Sequence, residues 1–205
     1  IASSADDGVD YYDGGTGSDT LDYSVYATTN YITVSLGESN VIVDVVVAGS
    51  GNTDKVQNIE NIIATQGADV ITGNTLSNTL IGMKGKDQLN GGDGDDKLYG
   101  DNVADDLAVV SDGSNDDTLK GGIGNDELYG GKGSDTLYGG AGDDVINGGA
   151  DTDIVNYDFY NPNNIFVWTE DTITIPDAFF EKPYEELAEE IYYNQEFRNY
   201  IYLST

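Results

Sequence analysis

The sequence predicts an all-β fold: a right-handed parallel solenoid of short stacked strands, closed by a short α-helical C-terminal segment. Three observations predict it. A nine-residue unit recurs in phase through the middle of the chain, glycine supplies 27 of 205 residues, and 38 acidic residues face only 8 basic ones, for a formal net charge of −30. Glycine and aspartate at this level, with few core formers, ordinarily leave a chain without enough apolar surface to offset its entropy. The period is what argues for a fold.

The unit reads G-G-x-G-x-D-x-U-x, with U apolar. Complete copies occupy 14–22, 91–99, 121–129, 130–138 and 139–147; weaker ones occupy 64–72, 73–81, 82–90, 100–108, 112–120 and 148–156, and residues 5–13 keep only Gly8, Asp10 and Tyr12. The phase runs unbroken from 64 to 108 and from 112 to 156, with Val109-Val110-Ser111 between the blocks. The apolar column is Ile71, Leu80, Leu89, Leu98, Leu107, Leu119, Leu128, Leu137, Ile146 and Val155. The sixth-position column is Asp69, Asn78, Asp87, Asp96, Asp105, Asp117, Asp126, Asp135, Asp144 and Asp153.

Each unit is a glycine-bearing turn followed by a very short strand. Two units close one coil, so strands two units apart lie side by side at about 4.8 Å. Apolar U residues fill a thin interior. Glycine serves the turn because it adopts positive φ and lets backbones approach closely. Stacked sixth-position carboxylates about 4.8 Å apart repel by about 3–4 kcal/mol at an effective dielectric near 20. A hard divalent cation reverses that sign, and a shell of carboxylate and carbonyl oxygens suits calcium better than magnesium, which demands tighter octahedral geometry and keeps its waters.

At these residues the chain resembles the RTX nonapeptide-repeat family, the calcium-binding parallel β-roll of proteins exported by bacterial type I secretion. The resemblance covers about residues 5–22 and 64–156. It implies that calcium is held between turns two units apart, by the sixth-position side chain and by carbonyls near the second and fourth positions. Those positions are Gly92 and Gly94, Gly122 and Gly124, Gly131 and Gly133, Gly140 and Gly142, and, in the outlying copy, Gly15 and Gly17 with Asp19. One face is expected to stack Asp69, Asp87, Asp105, Asp126 and Asp144, the other Asn78, Asp96, Asp117, Asp135 and Asp153. If the three residues between the blocks merely bulge, up to about eight calcium ions fit, cancelling about half the formal charge of −30. The Asn78 to Asp96 gap has lost one charge, and the unit at 100–108 has Asp101 and Val103 where glycines belong.

The organisation expected is an N-terminal segment of β-roll coils (1–63), the calcium-binding roll (64–156) and a C-terminal cap (157–205). In the first, strand-like runs at 31–36, 41–47 and 56–63 read as longer coils of the same roll, stacked through aliphatic side chains, with a separate small antiparallel sheet as the alternative; Asn58 to Ile63 resembles the lead-in that many RTX modules carry. In the last, Tyr157, Phe159, Tyr160, Phe166 and Trp168 precede a strand-like 172–176. Pro183 opens an acidic amphipathic helix reaching about Tyr202. A solenoid must cover its last coil, so this segment reads as a cap, with a recognition surface or an export signal as the sharper alternatives.

Composition narrows the function. With no cysteine and no histidine there is no disulfide framework, thiolate site or histidine-based triad. The net charge opposes nucleic acid, anionic lipid and phosphorylated substrates. No run of 18 apolar residues spans a bilayer, and the start at Ile1, without an apolar leader, reads as a processed or excised fragment. Asp143-Asp144 falls on motif positions five and six, which makes it metal-binding sequence rather than a glycosidase pair. Tyr99, Tyr129 and Tyr138 share position nine and read as cover for strand edges, with sugar stacking as the alternative.

The function expected is a non-enzymatic, secreted or cell-surface module that folds on extracellular calcium into a rigid structural or adhesive element. The alternative is an accessory module of a secreted metalloprotease, lipase or polysaccharide epimerase whose active site lies elsewhere. Calcium is the expected partner; a glycan, a peptide or a second copy of the chain are the further candidates.

Overall fold

Glycine-bearing turns and three-residue apolar-centred strands alternate along the chain, and the alternation builds two parallel sheets face to face. The computed structural model describes residues 2–3, 9–49, 52–102, 115–156 and 165–167. Seventeen strands are present: β1 (Ala2–Ser3), β2 (Tyr11–Asp13), β3 (Thr20–Asp22), β4 (Tyr31–Ser35), β5 (Val43–Ala48), β6 (Asn52–Gln57), β7 (Asn61–Ile63), β8 (Val70–Thr72), β9 (Thr79–Met83), β10 (Gln88–Asp93), β11 (Lys97–Asp101), β12 (Thr118–Ile123), β13 (Glu127–Lys132), β14 (Thr136–Ala141), β15 (Val145–Ala150), β16 (Ile154–Asn156) and β17 (Ile165–Val167). No helix occurs among the described residues, and so none there is long and apolar enough to cross a membrane. All described residues belong to one compact unit, 1–174; a second unit, 175–205, lies wholly outside them. The expected strand at 172–176 and the expected helix from Pro183 therefore fall outside the described residues.

One sheet has the order β1-β3-β7-β9-β11-β13-β15-β17, the other β16-β14-β12-β10-β8-β4-β5-β6-β2. Successive repeat strands thus alternate between sheets. Pairing is parallel and keeps like with like: Leu80 lies between Ile62 and Leu98, and Leu128 between Leu98 and Ile146. In the other sheet Leu89 lies between Ile71 and Leu119, and Leu137 between Leu119 and Val155. These side chains are buried and form the core. Outside the sheets the ladders are lateral: Lys97 pairs with Glu127 at 2.8 Å and Tyr99 stacks on Tyr129 at 4.9 Å. Tyr138 is not in that ladder; it lies in β14 of the other sheet, under the Lys120 ammonium.

Two sequence expectations need correction. The first concerns the interruption. Neighbouring coils are 18 residues apart elsewhere in the repeat, but 30 apart from Asp87 to Asp117 and from Asp96 to Asp126. Gly100 and Asp101 belong to the turn that carries Asp117. Gly100 sits against the Asp117 carboxylate as Gly91 sits against that of Asp96; Gly131 stacks on Asp101 and Gly133 on Asn115. One turn is therefore assembled from Gly100-Asp101 and Asn115 onward, and the intervening 103–114 lies outside the described residues. The physical reason is visible in the sequence: Asp101 and Val103 replace the two glycines a tight turn needs. The consequence is that every face assignment after the interruption is exchanged.

The second concerns the lead-in. β5 runs antiparallel to both β4 and β6 instead of as a coil of the roll. All three are nonetheless part of the roll's sheet, since β4 pairs parallel with β8 and β6 parallel with β2. Reversal follows from local chemistry. Asn40 and Gly49 take positive φ at the two bends, and β5 alternates, with Val45 and Val47 buried and Asp44 and Val46 exposed.

Coil spacing is tested at two glycines with the same backbone requirement. Gly15 has φ 86° and open space around a would-be Cβ; Gly124 has φ 140° and the Gly94 carbonyl in that space. Gly15→Ala is expected to cost about 1 kcal/mol, from backbone strain alone, and Gly124→Ala about 3 kcal/mol or more. Equal losses in thermal unfolding would overturn the stacking.

Candidate metal centre

Each sixth-position side chain leaves its turn just before the strand and points along the stack. Except in Asn78, whose Oδ1 accepts the Asn74 N–H of its own turn, its Oδ1 accepts the main-chain N–H of the equivalent residue in the coil before. One column runs Asp69 N–H to Asp87 (2.7 Å), Asp87 to Asp117 (2.7 Å), Asp117 to Asp135 (2.7 Å) and Asp135 to Asp153 (2.9 Å). The other runs Asn78 to Asp96 (2.7 Å), Asp96 to Asp126 (2.9 Å) and Asp126 to Asp144 (3.0 Å). All nine side chains are buried. Nine of the ten expected column residues are thus brought together, in columns of five and four; Asp105 lies outside the described residues. The expected stack Asp69, Asp87, Asp105, Asp126, Asp144 is corrected to Asp69, Asp87, Asp117, Asp135, Asp153, because the 30-residue step exchanges the faces.

The second carboxylate oxygen carries the chemistry. Oδ2 of Asp87, Asp96, Asp117, Asp126 and Asp135 is buried with no hydrogen-bond partner. Beside the first glycine of each turn, that oxygen and a main-chain carbonyl of the next coil converge: Asp87 with Gly100, Asp96 with Gly121, Asp117 with Gly130, Asp126 with Gly139 and Asp135 with Gly148. Two acceptors facing each other in a buried turn call for a positive charge. Burial raises these carboxyls, to about 9 for Asp117 and Asp135, about 8 for Asp87, about 7 for Asp126 and about 6 for Asp96. The accepted main-chain N–H pulls the other way, and neighbouring carboxylates push further up.

Among the described residues no three acidic side chains converge on one point. A cation here would draw one carboxylate from a coil and complete its shell with turn carbonyls, a donor set of oxygens alone. That is calcium chemistry. The residues fit the ion. The glycines expected to offer carbonyls, Gly92, Gly94, Gly122, Gly124, Gly131, Gly133, Gly140 and Gly142, all hold positive φ, as do Gly15 and Gly17. Asp19 is partly exposed, with a buried, unpartnered Oδ2 of its own.

Two equivalents of the sixth position escaped the sequence reading. Asp54 accepts Asp10 N–H at 3.1 Å and Glu60 accepts Asp19 N–H at 2.8 Å. Their signal was available: Asp54-Lys55-Val56 and Glu60-Asn61-Ile62 keep the acid-x-apolar spacing after the glycines are lost. A second ladder was also missed. At position five, side chains accept N–H groups in the opposite sense, Asn125 to Asp95 and Asp143 to Asn125, both at 2.8 Å.

A family model described as RTX calcium-binding nonapeptide repeat (4 copies) matches residues 4–22, 57–75, 72–107, 111–146 and 129–159. The matched stretches include both aspartate columns and stop short of the lead-in strands β4 and β5. No curated protein matches the chain.

Two outcomes follow from the geometry. Asp135 serves two gaps while Asp10 lies at the edge of the stack, so Asp135→Ala is expected to raise the calcium midpoint about tenfold, equivalent to about 1.4 kcal/mol, and Asp10→Ala to leave it nearly unchanged. Equal midpoints in calcium-titrated circular dichroism would reject the columns. The second concerns protons. The folded carboxyls lie above the ordinary value of 3.8, at about 6 to 9. Their contribution to the metal-free roll is complete below that ordinary value and is lost as pH rises through 6 to 9. In EDTA the β signal is therefore expected to be greater at about pH 4.5 than at about pH 8; a flat profile would contradict the burial of these groups.

Proposed function

Because the chain belongs to the RTX calcium-binding nonapeptide-repeat family, we propose that it acts outside the cell as a secreted or cell-surface module that becomes rigid when it meets calcium. The repeat domain is a structural calcium-binding β-roll. The observation that carries the proposal is the row of buried Oδ2 atoms opposed to carbonyls of the next coil. Without a cation the stack is a ladder of oxygens facing oxygens. With one, the same oxygens become a coordination shell and adjacent coils are joined.

This makes folding a readout of compartment. Where calcium is scarce, the formal charge of −30 keeps the chain expanded and fit for export. Where calcium is abundant, binding free energy becomes folding free energy. Among the described residues seven gaps separate the members of the two columns, and five of them, those after Asp87, Asp96, Asp117, Asp126 and Asp135, open on an unpartnered Oδ2. Stacked coils with the U residues inside and short polar ladders outside suit an adhesive or scaffolding role.

Titrating the chain with calcium tests this directly. The expected result is a cooperative gain of most of the β circular dichroism, with several ions bound per chain in calorimetry. A β spectrum indifferent to EDTA and calcium would overturn it.

A further inference from the structure

The rungs of the ladder are not chemically alike along the chain. Asp87, Asp96, Asp117, Asp126 and Asp135 leave Oδ2 without a donor. Before Asp87 the equivalent groups are satisfied by the protein itself. Asp69 takes Ile32 N–H on Oδ1 at 2.5 Å and Thr65 N–H on Oδ2 at 3.0 Å, with the Thr65 hydroxyl 3.0 Å from either oxygen. Asn78, at the matching place in the other column, accepts Asn74 N–H at 2.9 Å and donates to the Glu60 carbonyl at 2.8 Å. Asp54 receives the Tyr23 hydroxyl on Oδ2 at 3.0 Å and Asp10 N–H on Oδ1. In each case a hydroxyl, an amide or a main-chain N–H stands where the later rungs present a bare oxygen. The one exception is Asp19, which is partly exposed.

The apolar core divides at the same place. Among the described residues, 21 apolar side chains are buried, fourteen before Ile81 and seven after Met83. The early part has an antiparallel strand as well as coils, and buries Tyr23, Tyr26, Ile32, Leu36, Val45, Val47 and Ile59 beyond the one apolar residue per turn of the later coils. Burial and polar satisfaction both favour folding without a cation there, and neither does later.

We propose that residues 10–81 form a calcium-independent base, and that the calcium-binding coils assemble on it in order toward the C-terminus. Resting on the proposed calcium-coupled folding, this adds a direction. β8 and β9 present finished edges, with Ile71 and Leu80 in register, to the first coil that needs metal. Each later coil gains its register from the one before, as expected of a solenoid with nearest-neighbour contacts.

Hydrogen exchange of the full chain tests the order. In EDTA, amides of β4 to β8 are expected to be protected at least about tenfold over those of β12 to β15, and protection is expected to spread from β10 to β15 as calcium is added. Thr65→Val is expected to lower the EDTA protection of β4 and β8, and Thr65→Ser, which keeps the hydroxyl, to retain it; unchanged protection in Thr65→Val would count against the satisfied rungs. A chain unprotected throughout in EDTA that becomes protected everywhere at one calcium concentration would overturn the base and leave calcium-coupled folding intact. Protection of β12 to β15 in EDTA equal to that of β4 to β8 would overturn both.

Discussion

The structure depends on one shared carboxylate per turn. Its Oδ1 is used on the coil before and its Oδ2 faces the coil after, so a single side chain both sets register and creates the demand for a cation. The hydrogen bond alone would fix spacing but not repay the burial of a charge, since removing a carboxylate from water costs several kcal/mol unless it is paired. An ionised carboxylate oxygen and a carbonyl oxygen meeting across a glycine are both acceptors and cannot pair with each other. A divalent ion converts that mismatch into the strongest contact between coils, which is why a roll with one apolar side chain per turn can be stable at all.

Glycine and acidity are consequences of the same contact. The turn must bring one carbonyl almost onto the next, as at Gly124 over Gly94 and Gly142 over Gly124, and no side chain fits between them. Aspartate suits the sixth position because its short arm reaches the neighbouring N–H without leaving the turn; the longer Glu60 makes the same bond where the glycines are absent. The part of the negative charge carried by the columns thus sits where a cation neutralises it on folding. Lys97 and Lys86 form lateral pairs between coils, with Glu127 and Asp116.

Much of this was legible in the sequence, because period and chemistry agree residue by residue. The described U residues from Ile71 to Val155 are buried in the core, and Asp/Asn, x, U marks the start of each strand of the repeat there. What was not legible were the places where local pattern and three-dimensional phase part company. β5 reads as one more aliphatic strand; nothing in Val43 to Ala48 states whether it runs with or against its neighbour, because alternation fixes the buried face and not the direction. Asp54 and Glu60 lacked the glycines by which the motif is recognised, yet the fold uses them in the same way.

The interruption shows the limit most clearly. Residues 100–108 keep Asp105 and Leu107 at the correct spacing, so the phase of the sequence runs straight through. The phase of the structure does not. A coil is specified by what its neighbours can stack on, and Gly131 and Gly133 need something to lie against at positions two and four of the turn below. Asp101 and Asn115 supply it: the Asn115 amide donates to Asp101 Oδ1 at 2.6 Å, and Asp101 Oδ2 accepts Lys132 N–H at 2.6 Å. Once these two residues close the turn, the length of chain between them matters little, because the entropy of loop closure grows only slowly with length. An aspartate in the second position, which breaks the motif, is therefore what allows the stack to continue across twelve extra residues without a change of register in either sheet.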